Sequence, residues 1–177
     1  MAYHSSFNEE NCRSLGNMAF LPIKTKIRGP ADSFHDASQD DIIDEALNLF
    51  RANCLFKNYE IKGGADRVLI YLTLFISECL VKISKTPASG LNPNEMQKSL
   101  NTLALSSFVI PGDPTFPLGA LFAAPSERQE TDLLRQYITQ LRQETVLRLM
   151  DRVYQGDQVP SKWWMMFSKR KFMGKSF

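Results

Sequence analysis

Histidine and cysteine are scarce in this chain, with two and three in 177 residues, and that scarcity removes much of the usual catalytic repertoire. Histidine catalysis needs an imidazole held by a partner, and His4 and His35 both fall in segments without regular pattern, so both are expected at the surface. Cys12, Cys54 and Cys79 form no paired spacing, and two of them lie inside apolar helical patterns, where a thiol packs as a small hydrophobe. A disulfide framework and a Cys/His zinc site are thereby excluded, and reduced thiols in an intracellular protein are expected. Also missing are a Glu-x-x-His pair, a nucleophile elbow and a dinucleotide-binding turn, so neither metal nor cofactor nor active site is expected. No apolar run approaches the roughly twenty residues that span a bilayer. There is no charged-then-apolar leader, no Gly at position 2 and no prenylation box, so secretion and lipid anchoring are not expected.

Acidic residues are lacking in one place. The last twenty residues hold Lys162, Lys169, Arg170, Lys171 and Lys175 without one acid, whereas the whole chain carries 21 bases and 19 acids. The remainder therefore has 16 bases against 19 acids, a net of about −3, which makes the C-terminus a lead about partners.

What is present is a chain with 44% hydrophobic residues, long enough for one sizeable core and short for two. Its densest stretch runs from Asp66 to Lys85. Between Val68 and Ile76 nearly every residue is large and apolar, leaving no face for water, which places this segment in the middle of a fold. A buried strand is the rival, but the apolar set continues through Cys79, Leu80 and Ile83, too far for an ordinary strand. Glu78, Lys82 and Lys85 fall on one side of its second half, which is expected to meet solvent.

The other elements follow in order. Residues 1–37 show no helical period and form an extended arm with apolar residues riding on it, which lies either on this domain or on a partner. Ser38 with Asp41 resembles a capping box opening a first helix over about Gln39 to Phe56, and the acids of its first turns suit the helix dipole. Gly63 and Gly64 are followed by no GK[ST] and are expected to make a turn, not a phosphate cradle. Asn92, Pro93 and Glu95 supply the N-cap, N1 proline and N3 acid of a third helix that turns Met96, Leu100 and Leu103 inward.

Ser107 to Pro125 carries four prolines among large apolar residues and forms a long irregular loop that either packs over a gap or docks a partner. Ser126 with Gln129 opens a helix of about 28 residues ending at Gly156. Glu144 precedes Arg148 by four on what is expected to be its wet side. A short helix after Pro160 and Ser161 holds Trp163, Trp164, Met166 and Phe167 and runs into the basic cluster. The expected fold is all-α: a single-domain five-helix bundle over residues 38–177 with the 1–37 arm and the proline-rich loop laid across it.

For the C-terminal cluster three readings compete. Its bases and a tryptophan anchor suit an acidic protein surface. Bases at a helix C-terminus and tryptophans at helical spacing also suit plain core packing. Phosphate grip with base stacking suits single-stranded nucleic acid. They rank in that order.

Several segments are familiar as a set: Tyr3-His4-Ser5, Gly16-Asn17-Met18-Ala19, Lys57-Asn58-Tyr59-Glu60-Ile61-Lys62, Ala65-Asp66-Arg67, Pro111-Gly112, Phe116-Pro117-Leu118, Gln140-Leu141-Arg142-Gln143-Glu144, Pro160-Ser161-Lys162-Trp163-Trp164 and Phe172-Met173. In their order and spacing the chain resembles, from end to end, the family of third subunits of the actin-related protein 2/3 complex. The resemblance implies a non-catalytic subunit of a seven-chain assembly that nucleates branched actin filaments, at cortical actin sites in the cytoplasm. It implies a seat against actin-related protein 3, with further contact to actin-related protein 2 or the mother filament when a branch forms. Actins are acidic, so Lys169, Arg170, Lys171 and Lys175 are the expected contact. Phe116 and Leu118 are secondary candidates, and Trp163 and Trp164 are divided between core and interface. The alternative from another class is a basic binder of nucleic acid or membrane surfaces.

Overall fold

The computed structural model describes residues 2–177, so the first residue of the expected arm lies outside the described residues. Among the described residues there are five α-helices: α1 (Ile42–Asn53), α2 (Gly64–Ser84), α3 (Pro93–Leu105), α4 (Arg128–Tyr154) and α5 (Lys162–Met165). The molecule is mostly helical but not all-α. Within the arm, β1 (Ser14–Leu15) and β2 (Met18–Ala19) pair antiparallel. They turn at Gly16, whose positive φ of 62° a side chain would strain, and a Cβ there would also meet the Ala123 carbonyl at 2.4 Å.

Helix α2 lies at the centre. Val68 through Ile76, then Cys79 and Leu80, are at most 3% exposed, Thr73 included, as the absence of a wet face requires. Helix α1 packs along α2 on one side, while α4 reaches α2 and carries α3 against its own flank. The arm closes another side, with Leu15, Met18, Leu21 and Ile23 each 1% exposed, so it lies on this chain. Gly63 and Gly64 serve that approach. Gly63 is extended, and a Cβ on it would meet the Asn8 side chain at 2.7 Å; one on Gly64 would meet Asn17 and Ala19 backbone at 3.0 Å.

The irregular stretch between α3 and α4, broken only by a 3-10 turn at Gly119–Leu121, buries Ile110, Phe116 and Phe122. It is tied down by the Arg67 Nε–H donating to the Leu121 carbonyl at 2.7 Å and by the Ala123 N–H donating to Asn17 Oδ1 at 2.8 Å.

Two caps differ from expectation. Helix α1 starts at Asp41, not Ser38: the Asp41 carboxylate accepts the N–H groups of Ile43 and Asp44, and Asp44 returns the bond to the Asp41 N–H. Helix α4 has no side-chain cap on its own backbone; Ser126 instead donates to Glu130. Past the end of α4, Gln155 and Gly156 both take positive φ and turn the chain.

The expected wet side of α4 is a larger correction. Glu144 is 9% exposed and Arg148 is mostly covered, because the arm lies over them. Arg148 bonds Asp41 at 2.6 and 2.8 Å, Glu144 at 3.0 Å and the Lys24 carbonyl. The acids of α1 thus do more than suit a dipole: Asp44 pairs with Lys24 at 2.6 Å and with Arg148 at 3.1 Å.

Tyr137 and Gln140 continue the row. The Tyr137 hydroxyl both accepts from the Leu21 N–H and donates to the Leu21 carbonyl, and Gln140 spans Ile27 and Ala31 at 2.9 Å each. At steps of three and four residues, Tyr137, Gln140, Glu144 and Arg148 form one stripe of α4 that holds the arm. On the other side of α4, the buried Arg142 donates from Nε to the Ala104 carbonyl at 3.1 Å and from a terminal nitrogen to the Leu103 carbonyl at 2.8 Å, capping the C-terminus of α3.

His4 is also not a plain surface residue. Its Nδ1 lies 2.7 Å from the fully buried Asp66 carboxylate, which also accepts the N–H groups of Ser5 and Lys62. Burial raises the Asp66 pKa, but the bonds from Ser5 and Lys62, then Asn8 and His4, outweigh it and hold the carboxyl below its ordinary 3.8.

Two outcomes follow. Arg148→Ala leaves the buried Asp41 carboxylate without its counter-charge and lowers unfolding free energy by about 3–5 kcal/mol in denaturant titration; a loss under about 1 kcal/mol would show that the pair is solvated. Because the folded Asp66 pKa is depressed, its contribution is present above the ordinary 3.8 and lost as pH falls through the folded value. The stability difference between wild type and Asp66→Asn therefore shrinks below that pH, and denaturation curves parallel across pH would contradict it.

Candidate functional site

The C-terminal segment is built on α4. Beyond the turn at Gln155 and Gly156 the Ser161 N–H donates to the Val153 carbonyl at 2.7 Å, fixing the start of α5 against the end of α4. Helix α5 is a single turn over Lys162–Met165, shorter than expected, and the basic cluster lies beyond it in irregular chain ending in a 3-10 turn at Phe172–Gly174.

The two tryptophans separate. Trp164 is 3% exposed and stacks on Phe50 at 6.0 Å and 15°. Trp163 is 62% exposed, with Met166 at 59% and Leu55 at 53%. The Arg51 guanidinium stands 5.4 Å from the Trp163 ring and 5.3 Å from that of Trp164, joining the exposed ring to the buried one.

The cations are presented between aromatic anchors. Phe167 packs edge-on against Phe50 before the basic run; after it, Phe172 is 1% exposed against Tyr59, and Phe177 packs on Tyr71 and Phe116. Lys169, Arg170 and Lys171 are exposed and border a cleft of about 580 Å³ shared with Leu55 and Lys57. Burial pushes the Cys54 thiol at its edge up to about 11, with Arg170 opposing, which leaves the thiol protonated and inert. Lys175 and Leu118 border a neighbouring cleft of about 660 Å³ with Met173.

Leu118 takes a left-handed conformation with φ of 58° and is half-buried. Phe116 is 5% exposed and stacked on Tyr71 at 6.4 Å, so it packs mainly in the core, although it also lines the cleft that Leu118 borders. The structure therefore groups Lys169, Arg170 and Lys171 with Leu55 along one cleft and Lys175 with Leu118 along a neighbouring one, leaves Trp163 exposed over Arg51, and buries Phe116 and Trp164.

Sequence reasoning passed over Arg51, Leu55 and Lys57. Arg51 and Leu55 sit in or just past α1, and no local pattern indicates that α5 folds back over them. Elsewhere, no three His, Cys, Asp or Glu side chains among the described residues converge on a point that could hold a metal ion. No helix among them is long and apolar enough to cross a membrane.

A family profile described as "P21-Arc: ARP2/3 complex ARPC3 (21 kDa) subunit" matches residues 1–177. The chain belongs to this family. Relatives in it align over nearly their whole length. The chain is 54% identical to actin-related protein 2/3 complex subunit 3 of Schizosaccharomyces pombe, covering 99% of this chain and 98% of that one. It is 50% identical to the subunit of the same name in Dictyostelium discoideum, with 99% of both chains covered. For the Arabidopsis thaliana subunit the figures are 40% identity, 98% and 97%. Family members thus share the length of this chain from arm to tail, and the segment 162–177 is part of the matched region.

The different surroundings of the two tryptophans set opposite expectations. Trp164→Ala empties a filled site against Phe50 and costs about 3–5 kcal/mol, whereas Trp163→Ala changes stability by no more than about 0.5 kcal/mol. Equal losses in thermal or denaturant unfolding would show that Trp163 is structural.

Proposed function

We propose that this protein is a non-catalytic structural subunit of an actin-related protein 2/3 complex, supporting nucleation and branching of actin filaments at cortical sites in the cytoplasm. Its mechanical role is that of a stiff wedge: a helical body with its arm folded onto itself, seated against actin-related protein 3. In the activated state it also meets actin-related protein 2 or the mother filament. The observation that carries this reading is the open surface of the tail segment, with Trp163 and Met166 exposed and Lys169, Arg170 and Lys171 bordering a cleft with exposed Leu55.

An exposed aromatic anchor on the same segment as exposed cations is the pattern of a protein interface. Acidic actin-like surfaces are its electrostatic complement. Family membership supports the same assembly. Lys175 and Leu118 extend this surface toward the neighbouring cleft.

Lys169→Glu, Arg170→Glu and Lys171→Glu together, and Trp163→Ala separately, test the contact by co-purification from cells. Loss of the actin-related subunits from the tagged triple variant, with its melting temperature held, is the expected result. Undiminished co-purification would remove the basic end from the interface. Salt-sensitive capture of nucleic acid instead of actin-related subunits would replace this reading with the alternative one.

A further inference from the structure

The tail cations also line a second cleft. Between the last turns of α2 and the tail lies a semi-enclosed cleft of about 280 Å³, lined by Lys85 from the end of α2 and by Lys169, Arg170, Lys171 and Lys175. Among the described residues none of these five forms an ion pair. Two groups of α2 complete the lining. Ser77 is 6% exposed and its hydroxyl has no hydrogen-bond partner, although the corresponding hydroxyl one turn earlier, on Thr73, donates to the Leu69 carbonyl at 2.7 Å. Glu78, expected on a side that meets solvent, lines the cleft with Oε2 buried and unpartnered.

Five cations lining one cleft of about 280 Å³ repel each other wherever their charged ends come within the roughly 8 Å over which salt leaves charges unscreened. Lysine and arginine side chains offer donors and no acceptors, so whatever fills the space must be rich in acceptors and negative. With Glu78 and the terminal carboxylate of Phe177, which also lines the cleft, both ionised, the lining still carries three net positive charges, the five cations less two acids. A phosphate group brings about −1.5 to −2, so about two phosphates balance the cleft and a single carboxylate does not. Burial also pushes the Glu78 carboxyl above its ordinary range, with the Arg142 guanidinium opposing, which eases the entry of an anion.

We propose that this cleft binds a compact ligand carrying two or more phosphate groups, held by Lys85 and the tail cations, with the Ser77 hydroxyl as its buried donor. Such a ligand ties the tail to α2. The same chemistry is offered by a soluble polyphosphorylated molecule and by the headgroup of a phosphorylated inositol lipid. The proposal goes beyond the docking of the tail to a protein partner and stands without it, because Ser77, Glu78 and Lys85 take no part in that surface.

The test is calorimetric titration of the full chain with inorganic tripolyphosphate at physiological salt. One-to-one binding is expected. Ser77→Ala or Lys85→Gln should weaken it about ten-fold each, with Lys26→Gln, the same charge change as Lys85→Gln at an exposed position on the arm, leaving it unaltered. Lys85→Gln, at the exposed end of α2, keeps the test decisive if Ser77→Ala disturbs the core. Glu78→Gln should keep or tighten binding. Vesicles carrying a bisphosphorylated inositol lipid separate the sources: capture that tripolyphosphate displaces assigns the headgroup, and titration without vesicle capture assigns a soluble ligand. Absence of one-to-one binding, equal weakening by Lys26→Gln, or weakening by Glu78→Gln would each overturn the proposal.

Discussion

A helix that is apolar on every side cannot persist in water, and α2 is such a helix over most of its length, so the rest of this chain is arranged to cover it. Burying one large aliphatic or aromatic side chain is worth about 1.5–3 kcal/mol, while ordering each residue costs about 1–2 kcal/mol of backbone entropy. A lone α2 therefore gains nothing by forming. Its coverage comes from α1 and α4, from the arm, and from the tail, whose α5 and final 3-10 turn both reach it. Two of these covers are irregular chain, which explains why so many large apolar residues occur outside helices.

Irregular chain brings unpaired backbone groups with it, and α4 resolves that difficulty. Tyr137, Gln140, Glu144 and Arg148 point polar atoms at the arm where its backbone and Thr25 need partners. Arg142, two residues from both Gln140 and Glu144 and so on the other side of α4, does the same for the carbonyls ending α3. Its guanidinium also lies 4.4 Å from the Phe75 ring of α2 and 4.6 Å from Phe108, so one side chain joins α2, α3, α4 and the irregular stretch. Helix α4 is thus buried through polar as well as apolar residues.

That arrangement marks the limit of what the sequence disclosed. The central helix, the Asn92 cap with its proline, and the length of α4 were legible because each rests on a local rule of period or capping. The buried role of Glu144 and Arg148 was not, since an i,i+4 ion pair looks the same on a wet face and under an arm more than a hundred residues distant in sequence. The short pair of β1 and β2 escaped notice because two-residue strands carry no period. For the candidate surface, the basic tail was legible from charge alone, and the opposite placements of Trp163 and Trp164 were not, because adjacent residues in one turn give no sign of which ring α1 will cover. Phe116 was misplaced for the related reason that an apolar residue among prolines looks the same whether it faces the core or a partner.

The family shown by the comparison and the geometry of the tail lead to the same idea of a chain that works through shape and surface. Its helical body carries a tail with an exposed tryptophan and with cations that form no ion pair among the described residues, held in place by packed aromatics on either side. Hydrogen–deuterium exchange of the tail, in the isolated chain and after incorporation into the actin-related assembly, tests that idea most directly. Marked slowing of exchange across residues 162–177 on assembly, with the buried α2 unchanged, is the predicted result; a tail that exchanges as fast in the assembly as alone would contradict it.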